Sequence, residues 1–192
     1  MTDLTGKLLI AMPSMPDPRF AHSVILLCAH SKAGAMGVII NKPLPDLRLF
    51  KLMEHLEIPP PPKAVGLGAD GVDGPVYFGG PVETSRGFVL HSPDFFSAEG
   101  SLQLSNEFVL SSSLEVLVEM ARGQGPSRGL VALGYSGWGG QQLETEIKAG
   151  GWLLSDPTQE LVFECQVARK WPAALDAIGV DPRLLSGSTG HA

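Results

Sequence analysis

The sequence predicts an α+β fold, and three observations lead to this class. Short apolar runs that indicate buried strands are interspersed with amphipathic stretches that indicate helices, without strict alternation. The longer apolar runs do not alternate cleanly with polar residues, which favours a sheet covered on both faces. Residues 129–154 combine a strand, a glycine-rich turn, a helix and a returning strand, and they form the most strongly specified stretch of the chain.

Composition limits the class of protein. A chain of 192 residues with 44% hydrophobic and 18% charged residues fits one globular domain spanning residues 1–192. The formal net charge of −6 disfavours direct binding to nucleic acid or to an anionic membrane, because both need a cationic face. The longest apolar run, Val24–Ala29, is far shorter than the ~20 residues that span a bilayer. We therefore expect a soluble cytoplasmic protein.

The first third of the chain predicts three strands and a helix. Leu8–Met12 indicates a strand, and Ser23–His30 and Ala35–Asn41 indicate a hairpin with a four-residue loop. Asp46 is expected to cap a helix that ends near Leu56.

Residues 59–74, PPPPKAVGLGADGVDG, predict a mobile surface loop that limited proteolysis should cut. The segment contains a literal G-x-G-x-x-G from Gly66 to Gly71. A dinucleotide site needs that pattern between a strand and a helix, and neither is indicated here. A loop is the better interpretation.

The middle of the chain predicts two hairpins. Pro75–Phe78 and Gly87–His91 indicate strands on either side of the turn Gly79-Gly80-Pro81. Leu102–Leu104 and Phe108–Leu110 indicate a second pair of strands.

Helices are then predicted from their start signals. Ser112 to Glu115 fits a capping box that opens a helix to Arg122, with Leu114, Leu117 and Val118 expected on its buried side. Asp156-Pro157 and Asp181-Pro182 each combine a cap with proline at the first helical position. Trp171-Pro172 either kinks one helix or separates two.

The central stretch, residues 129–154, predicts a strand, a short helix and a returning strand. Leu130–Leu133 is an apolar run typical of a buried strand, and the glycines from 134 to 140 interrupt it. Gln142–Lys148 indicates a short helix, with Leu143 and Ile147 on one face. Trp152–Leu154 indicates the returning strand.

The string GYSGWGGQQLETEI in this stretch resembles the GY-x-x-WG-x-GQLE-x-EI segment of the AlgH/YqgE family of uncharacterised bacterial proteins. Further matches follow in order along the chain, among them GKLLIAMPSMPDPRFAHSVILL, GAMGVIINKP and VYFGGPV. This chain has Gln141 where the family usually has glycine. The resemblance implies a mixed, partly barrel-like β-sheet flanked by helices, and a link to the transcriptional regulation of alginate production.

The resemblance also selects a candidate binding site. Its N-x-P and GGP turns correspond to Asn41-Lys42-Pro43 and Gly79-Gly80-Pro81, and His91 ends a strand near the second turn. If these turns share a site, Trp138 would form another of its walls. The candidate binding residues are Asn41, Gly79, Gly80, His91, Trp138 and Gln142.

Catalytic interpretations of the same residues are weaker. Ser136 departs from a nucleophile elbow, since Trp138 stands where that turn requires glycine. The turn before the 142–148 helix offers backbone N–H groups to an anion, but no lysine or arginine lies in this stretch to support an anion site. Cys28 and His30 could share a strand face as a thiol–imidazole pair, but no third group to orient them is visible.

Metal and disulfide chemistry is not indicated either. The five histidines form no ligand pair, so we expect no metal and no cofactor. Cys28 and Cys165 are expected to stay reduced and unpaired.

Two functional hypotheses follow from the sequence. The first is a non-enzymatic protein that regulates transcription indirectly, through a protein or small-molecule partner. The second is an enzyme of unknown reaction whose site lies between the glycine-rich turns. The ligand, the regulated process and the oligomeric state are not specified by the sequence.

Overall fold

The computed structural model describes residues 2–60 and 73–185. Ten strands are formed in this part of the chain: Leu8–Ala11 (β1), Val24–Ser31 (β2), Gly34–Ile39 (β3), Pro43–Arg48 (β4), Pro75–Phe78 (β5), Val82–His91 (β6), Ser101–Gln103 (β7), Val109–Ser111 (β8), Gly129–Gly139 (β9) and Trp152–Ser155 (β10). The α-helices are Leu49–His55 (α1), Glu115–Arg122 (α2), Gln142–Lys148 (α3), Val167–Asp176 (α4) and Pro182–Leu185 (α5), with a π-helical segment at Glu160–Glu164.

Strand β9 is the centre of the sheet. Its first half pairs in parallel with β5 and antiparallel with β6, and its second half pairs antiparallel with β3. The sheet continues from β3 through β2 and β1 to β10, and from β6 through β8 to β7. The result is a mixed, strongly curled, half-barrel sheet with helices around it. This confirms the predicted α+β fold with a partly barrel-like sheet.

The sheet buries side chains on both of its faces, as the missing alternation predicts. Successive residues of β1 point to opposite faces. Leu8 and Ile10 belong to a core that includes Phe108 and the π-helical segment, whereas Leu9 and Ala11 pack with Trp138 and other residues near α3. A further core lies under α1 and α2.

Helix α1 begins later than the sequence predicts. Asp46 lies within β4, which pairs with β5, and is therefore not the helix cap. Asp73, distant in sequence, takes that role: its Oδ1 accepts the backbone N–H of Phe50 at 2.8 Å. Because the partner carboxylate comes from another segment, a local start signal could not reveal it.

Helix α2 shows a similar difference. The expected capping box does not form, since the helix begins at Glu115 without a side-chain cap, and the Glu115 carboxylate instead accepts a hydrogen bond from Ser97. The later start moves Leu114 out of the helix, where its side chain is 56% exposed. Leu117 is buried as predicted, and Val118 is half-buried.

The glycines from 134 to 139 do not end the central strand, because β9 continues through them to Gly139. Gly134 has a φ of +75°, and a Cβ there would lie 2.4 Å from the carbonyl oxygen of Gly80. This glycine is required by a close approach of two chain segments rather than by a turn. The helix and the returning strand are confirmed as α3 and β10.

The C-terminal elements differ from the prediction in type and in where they divide: the break falls between Glu164 and Val167, and not at Trp171-Pro172. The segment after Asp156-Pro157 is π-helical and starts only at Glu160, with the Thr158 hydroxyl accepting the N–H of Leu161 at 3.1 Å. Pro172 lies inside the continuous helix α4, and α5 starts at Pro182 as predicted. None of the described helices has both the length and the apolar character that a membrane crossing requires. Most of the predicted loop at 59–74 lies outside the described residues.

Candidate functional site

A cavity of about 560 Å³ opens at the C-terminal end of β9. The loop between β1 and β2 forms one wall, and α3 with the turn into β10 forms the other. Trp138 and Gln142, two of the six candidate residues, line this cavity together, and so does Pro81 of the GGP turn.

Three aromatic rings are packed edge to face at this cavity. Trp152 lies between Phe20 and Trp138, with ring centroids 5.9 Å and 6.0 Å away and interplanar angles of 76° and 80°. Such perpendicular contacts are favourable because the positive edge of one ring meets the negative face of the next. The two indoles are almost fully buried, so they fix the shape of the wall.

The Glu146 carboxylate holds this wall together. Its Oε2 accepts the indole N–H of Trp138 at 3.0 Å and that of Trp152 at 2.8 Å. Its Oε1 accepts the side-chain amide of Gln142, one helical turn earlier, at 2.8 Å. The Gln142 oxygen in turn accepts the backbone N–H of Gly139 at 3.0 Å. One carboxylate therefore connects α3 to β9 and β10.

An ion pair lies on the opposite wall. The guanidinium of Arg19 donates to both oxygens of Asp17, with Nη2 to Oδ2 at 2.6 Å. These side-chain hydrogen bonds lower the pKa of Asp17, which is therefore ionised at neutral pH. The same guanidinium lies over the ring of Phe20, 5.8 Å from its centroid.

Asn41, Gly79 and Gly80 lie outside the cavity walls and have structural contacts. The Asn41 side chain accepts the N–H of Val24 at 2.8 Å and donates to the carbonyl of His22 at 2.9 Å, which joins two segments. A Cβ on Gly79 or Gly80 would lie 2.1–2.2 Å from the backbone of Gly134 or Tyr135. The space between the two glycine-rich segments is thus filled by backbone.

His91 is fully buried at the other end of β9, opposite Gly129. Its Nδ1 donates to the carbonyl of Ser92 at 2.8 Å, so the neutral ring accepts the Ser111 hydroxyl at Nε2, also at 2.8 Å. Ser101 then donates to Ser111 at 2.7 Å. Burial lowers the pKa of His91. This geometry resembles a serine–histidine pair, but none of its members lines the cavity.

The remaining nucleophile candidates also lie outside the cavity walls. Ser136 is fully buried, and its hydroxyl donates to the carbonyl of Gly79 at 3.3 Å. Cys28 lies at an irregularity in the β2–β3 register, where burial raises the pKa of its thiol to about 12. His30 contacts Leu4 and Glu144 instead of Cys28. Cys28 and Cys165 are both unpaired in the structure.

Sequence reasoning did not select Glu146, Trp152 or the Asp17–Arg19 pair. The Glu146 carboxylate reaches the indoles of Trp138 and Trp152. The spacing of Gln142 and Glu146, four residues apart on a predicted helix, was the available signal. In the described ranges no group of three or more histidine, cysteine, aspartate or glutamate side chains could hold a metal ion.

Comparisons with known proteins identify relatives over the whole chain. The chain is 51% identical over 191 residues to a UPF0301 protein of Jannaschia sp. strain CCS1, covering 99% of this chain and 96% of the relative. It is 52% identical over 190 residues to a UPF0301 protein of Ruegeria pomeroyi, covering 99% and 100% of the two chains.

Solved structures agree with these relatives. The solution structure of the AlgH protein from Pseudomonas aeruginosa matches with a TM-score of 0.75 at 40% identity, covering 100% of this chain and 97% of that one. A crystal structure of a protein from Corynebacterium diphtheriae shows the same fold, with a TM-score of 0.73 at 22% identity over 95% and 91% of the chains. The protein-family model described as AlgH-like matches residues 8–183 of this chain. The chain therefore belongs to the AlgH-like family.

Proposed function

We propose that this protein is a non-enzymatic ligand-binding protein, and that it affects transcription indirectly by binding a small molecule in the cavity beside Trp138. The cavity itself is the observation that carries the proposal. Its volume of about 560 Å³ suits a small ligand, and its aromatic wall is fixed by hydrogen bonds. The resemblance to AlgH supports the regulatory part, and the net charge of −6 favours an indirect route over DNA contact.

The placement of the nucleophiles supports binding over catalysis. A catalytic group must reach the reacting atoms, at hydrogen-bond distance or through one water. Ser136, Cys28 and His91 are buried away from the cavity, and each has a hydrogen-bond partner in the backbone. The carboxylates that do line it, those of Glu146 and Asp17, already accept N–H groups that hold the walls in place.

The test compares the wild type with a variant whose cavity is filled. Ala149, which directly follows α3, lines the cavity and is exposed, so leucine can be accommodated there and is expected to occupy part of the cavity. Ala177 is a matched control, because it is also an exposed alanine that directly follows a helix, α4. It lies away from this cavity.

The protein is equilibrated with the low-molecular-mass fraction of a lysate of the producing bacterium, and retained compounds are identified by mass spectrometry. We expect the wild type and Ala177→Leu to retain the same compound and Ala149→Leu to lose it. Transcript profiles of a deletion strain carrying each variant should follow the same division. Retention by none of the three, or by all three equally, would contradict the proposal.

A further inference from the structure

We propose that the cavity beside Trp138 selects a small organic cation that carries N–H donors, an alkylammonium or an alkylguanidinium. The inference rests on the proposed binding function and names its ligand class. It follows from the charges, the acceptor capacity and the ring contacts of the cavity walls.

The charges of the walls favour a cation. Among the described residues that line the cavity, Asp17 and Glu146 are acidic and Arg19 is basic. Arg19 and Asp17 neutralise each other through their paired hydrogen bonds. Glu146 therefore determines the sign of the local charge. An anionic ligand would meet this carboxylate without a free basic partner on the walls, which disfavours it.

The hydrogen bonds of Glu146 leave room for one more donor. A carboxylate has about four lone-pair sites. Three are used by N–H groups from Trp138, Trp152 and Gln142, all of which are neutral. These contacts orient the carboxylate but do not cancel its charge, and none of the ion pairs found in the described ranges includes Glu146. A ligand ammonium or guanidinium would supply both the fourth hydrogen bond and the opposite charge.

The aromatic wall favours the same chemistry. Cations are attracted to ring faces within about 6 Å of the centroid. Arg19 shows this contact already, with its guanidinium 5.8 Å from the centroid of Phe20. The alkyl part of the ligand would pack on Met15, Phe20 and Pro81, which line the same space. The walls thus suit a cation with a short apolar chain.

Three probes of similar size and different charge test this inference: butylammonium, butanol and butyrate. Each is titrated into the full chain while tryptophan fluorescence is recorded, because Trp138 and Trp152 line the cavity. Trp171→Phe serves as a control, since Trp171 donates to the carbonyl of Ala11 outside the cavity. We expect butylammonium to saturate the signal, with butanol about tenfold weaker and butyrate without effect.

Two variants sharpen the test in opposite directions. Removing the positive charge with Arg19→Gln should strengthen butylammonium binding by about two- to fivefold, since exposed charges have modest effects. Arg19 is 57% exposed, so this variant should fold normally. Glu146→Gln retains an oxygen acceptor for the indoles and removes the charge, and it should reduce butylammonium binding to the level of butanol.

The inference is overturned by equal binding of butanol and butylammonium, by preferred binding of butyrate, by no binding of butylammonium, or by weaker binding in Arg19→Gln. A neutral or anionic compound recovered from the lysate fraction would end the cation inference and leave the binding function standing. Failure to recover any compound there would instead count against the binding function.

Discussion

Buried side chains that form hydrogen bonds lie near both ends of β9, yet the two ends differ in what surrounds them. At the N-terminal end, opposite Gly129, His91 is enclosed in a chain of hydroxyl and carbonyl contacts. At the C-terminal end, Trp138 shares the Glu146 carboxylate with Trp152 beside a cavity of about 560 Å³. Hydrogen bonding is satisfied at both ends. The second end borders a space large enough for a small ligand.

The neighbours of β9 explain this difference. Its first half is paired on both sides, by β5 and β6, and lies between core residues. Residues 136–139 of its second half pair with β3, and α3, the β1–β2 loop and the turn into β10 complete the surroundings. Two loops and a short helix pack less completely than two strands do. The sheet thus determines which end can become a site.

The largest effect is expected from Trp138→Ala at the open end. Truncating a buried tryptophan costs roughly 3–5 kcal/mol of unfolding free energy, and here it also removes a donor to Glu146. Urea unfolding should therefore show a strongly lowered midpoint. Trp138→Phe, which retains a ring and loses the N–H, should fall between this variant and the wild type. A midpoint unchanged by Trp138→Ala would mean that the ring does not hold the wall.

His91→Ala tests the sealed end. The change removes a fully buried ring and leaves the Ser111 hydroxyl without its acceptor, so we expect a loss of roughly 1–3 kcal/mol. His55→Ala, at an exposed position in α1, is the matched control and should change stability by less than about 0.5 kcal/mol. Ligand retention should be unaffected in both. Loss of the ligand in His91→Ala at full stability would make the sealed end functional.

The same histidine should make stability depend on pH. Burial lowers the pKa of His91 below its ordinary value of 6.5. As pH falls, the unfolded chain binds a proton at this histidine at a higher pH than the folded chain does. The contribution of His91 to the free energy of unfolding is therefore complete above pH 6.5 and is lost as pH falls through the lowered pKa. The difference in urea midpoint between wild type and His91→Gln should shrink between about pH 7.5 and about pH 5. A difference in urea midpoint that stays constant over this pH range would show that folding does not lower the pKa of His91.

The smallest effect is expected from Ser136→Ala, next to the open end. The hydroxyl donates to the carbonyl of Gly79, but that carbonyl also accepts the N–H of Ile39 at 2.9 Å. Because the acceptor keeps a partner, the loss should stay under ~1 kcal/mol. Urea unfolding and ligand retention should both resemble the wild type. A stable Ser136→Ala protein that loses all activity in cells would make Ser136 a nucleophile candidate again.

Local signals predicted the fold well and the site only in part. The apolar runs located β1, β2, β3, β5 and β10 because burial on both faces leaves a continuous pattern. Trp138 and Gln142 were selected through the family resemblance, and they do lie together.

The remaining features depend on residues that are distant in sequence. Glu146 could not be linked to Trp152, since the fold alone brings their side chains together. The same applies to Asp73, which caps α1 from beyond the segment that local signals cover, and to Lys170, which is buried with its Nζ 3.1 Å from the carbonyl of Ile40. Lysine side chains are usually exposed, and no local sequence pattern predicts that this one is buried.

The most direct test of the account follows the three indole N–H resonances by NMR while the low-molecular-mass lysate fraction is added to isotope-labelled protein. Single Trp→Phe variants assign the resonances of Trp138, Trp152 and Trp171. The account predicts that the first two shift together, because one carboxylate accepts both N–H groups, and that Trp171 stays in place. A shift confined to Trp171, or a ligand whose largest shifts surround His91, would contradict the assignment of the site to the C-terminal end of β9.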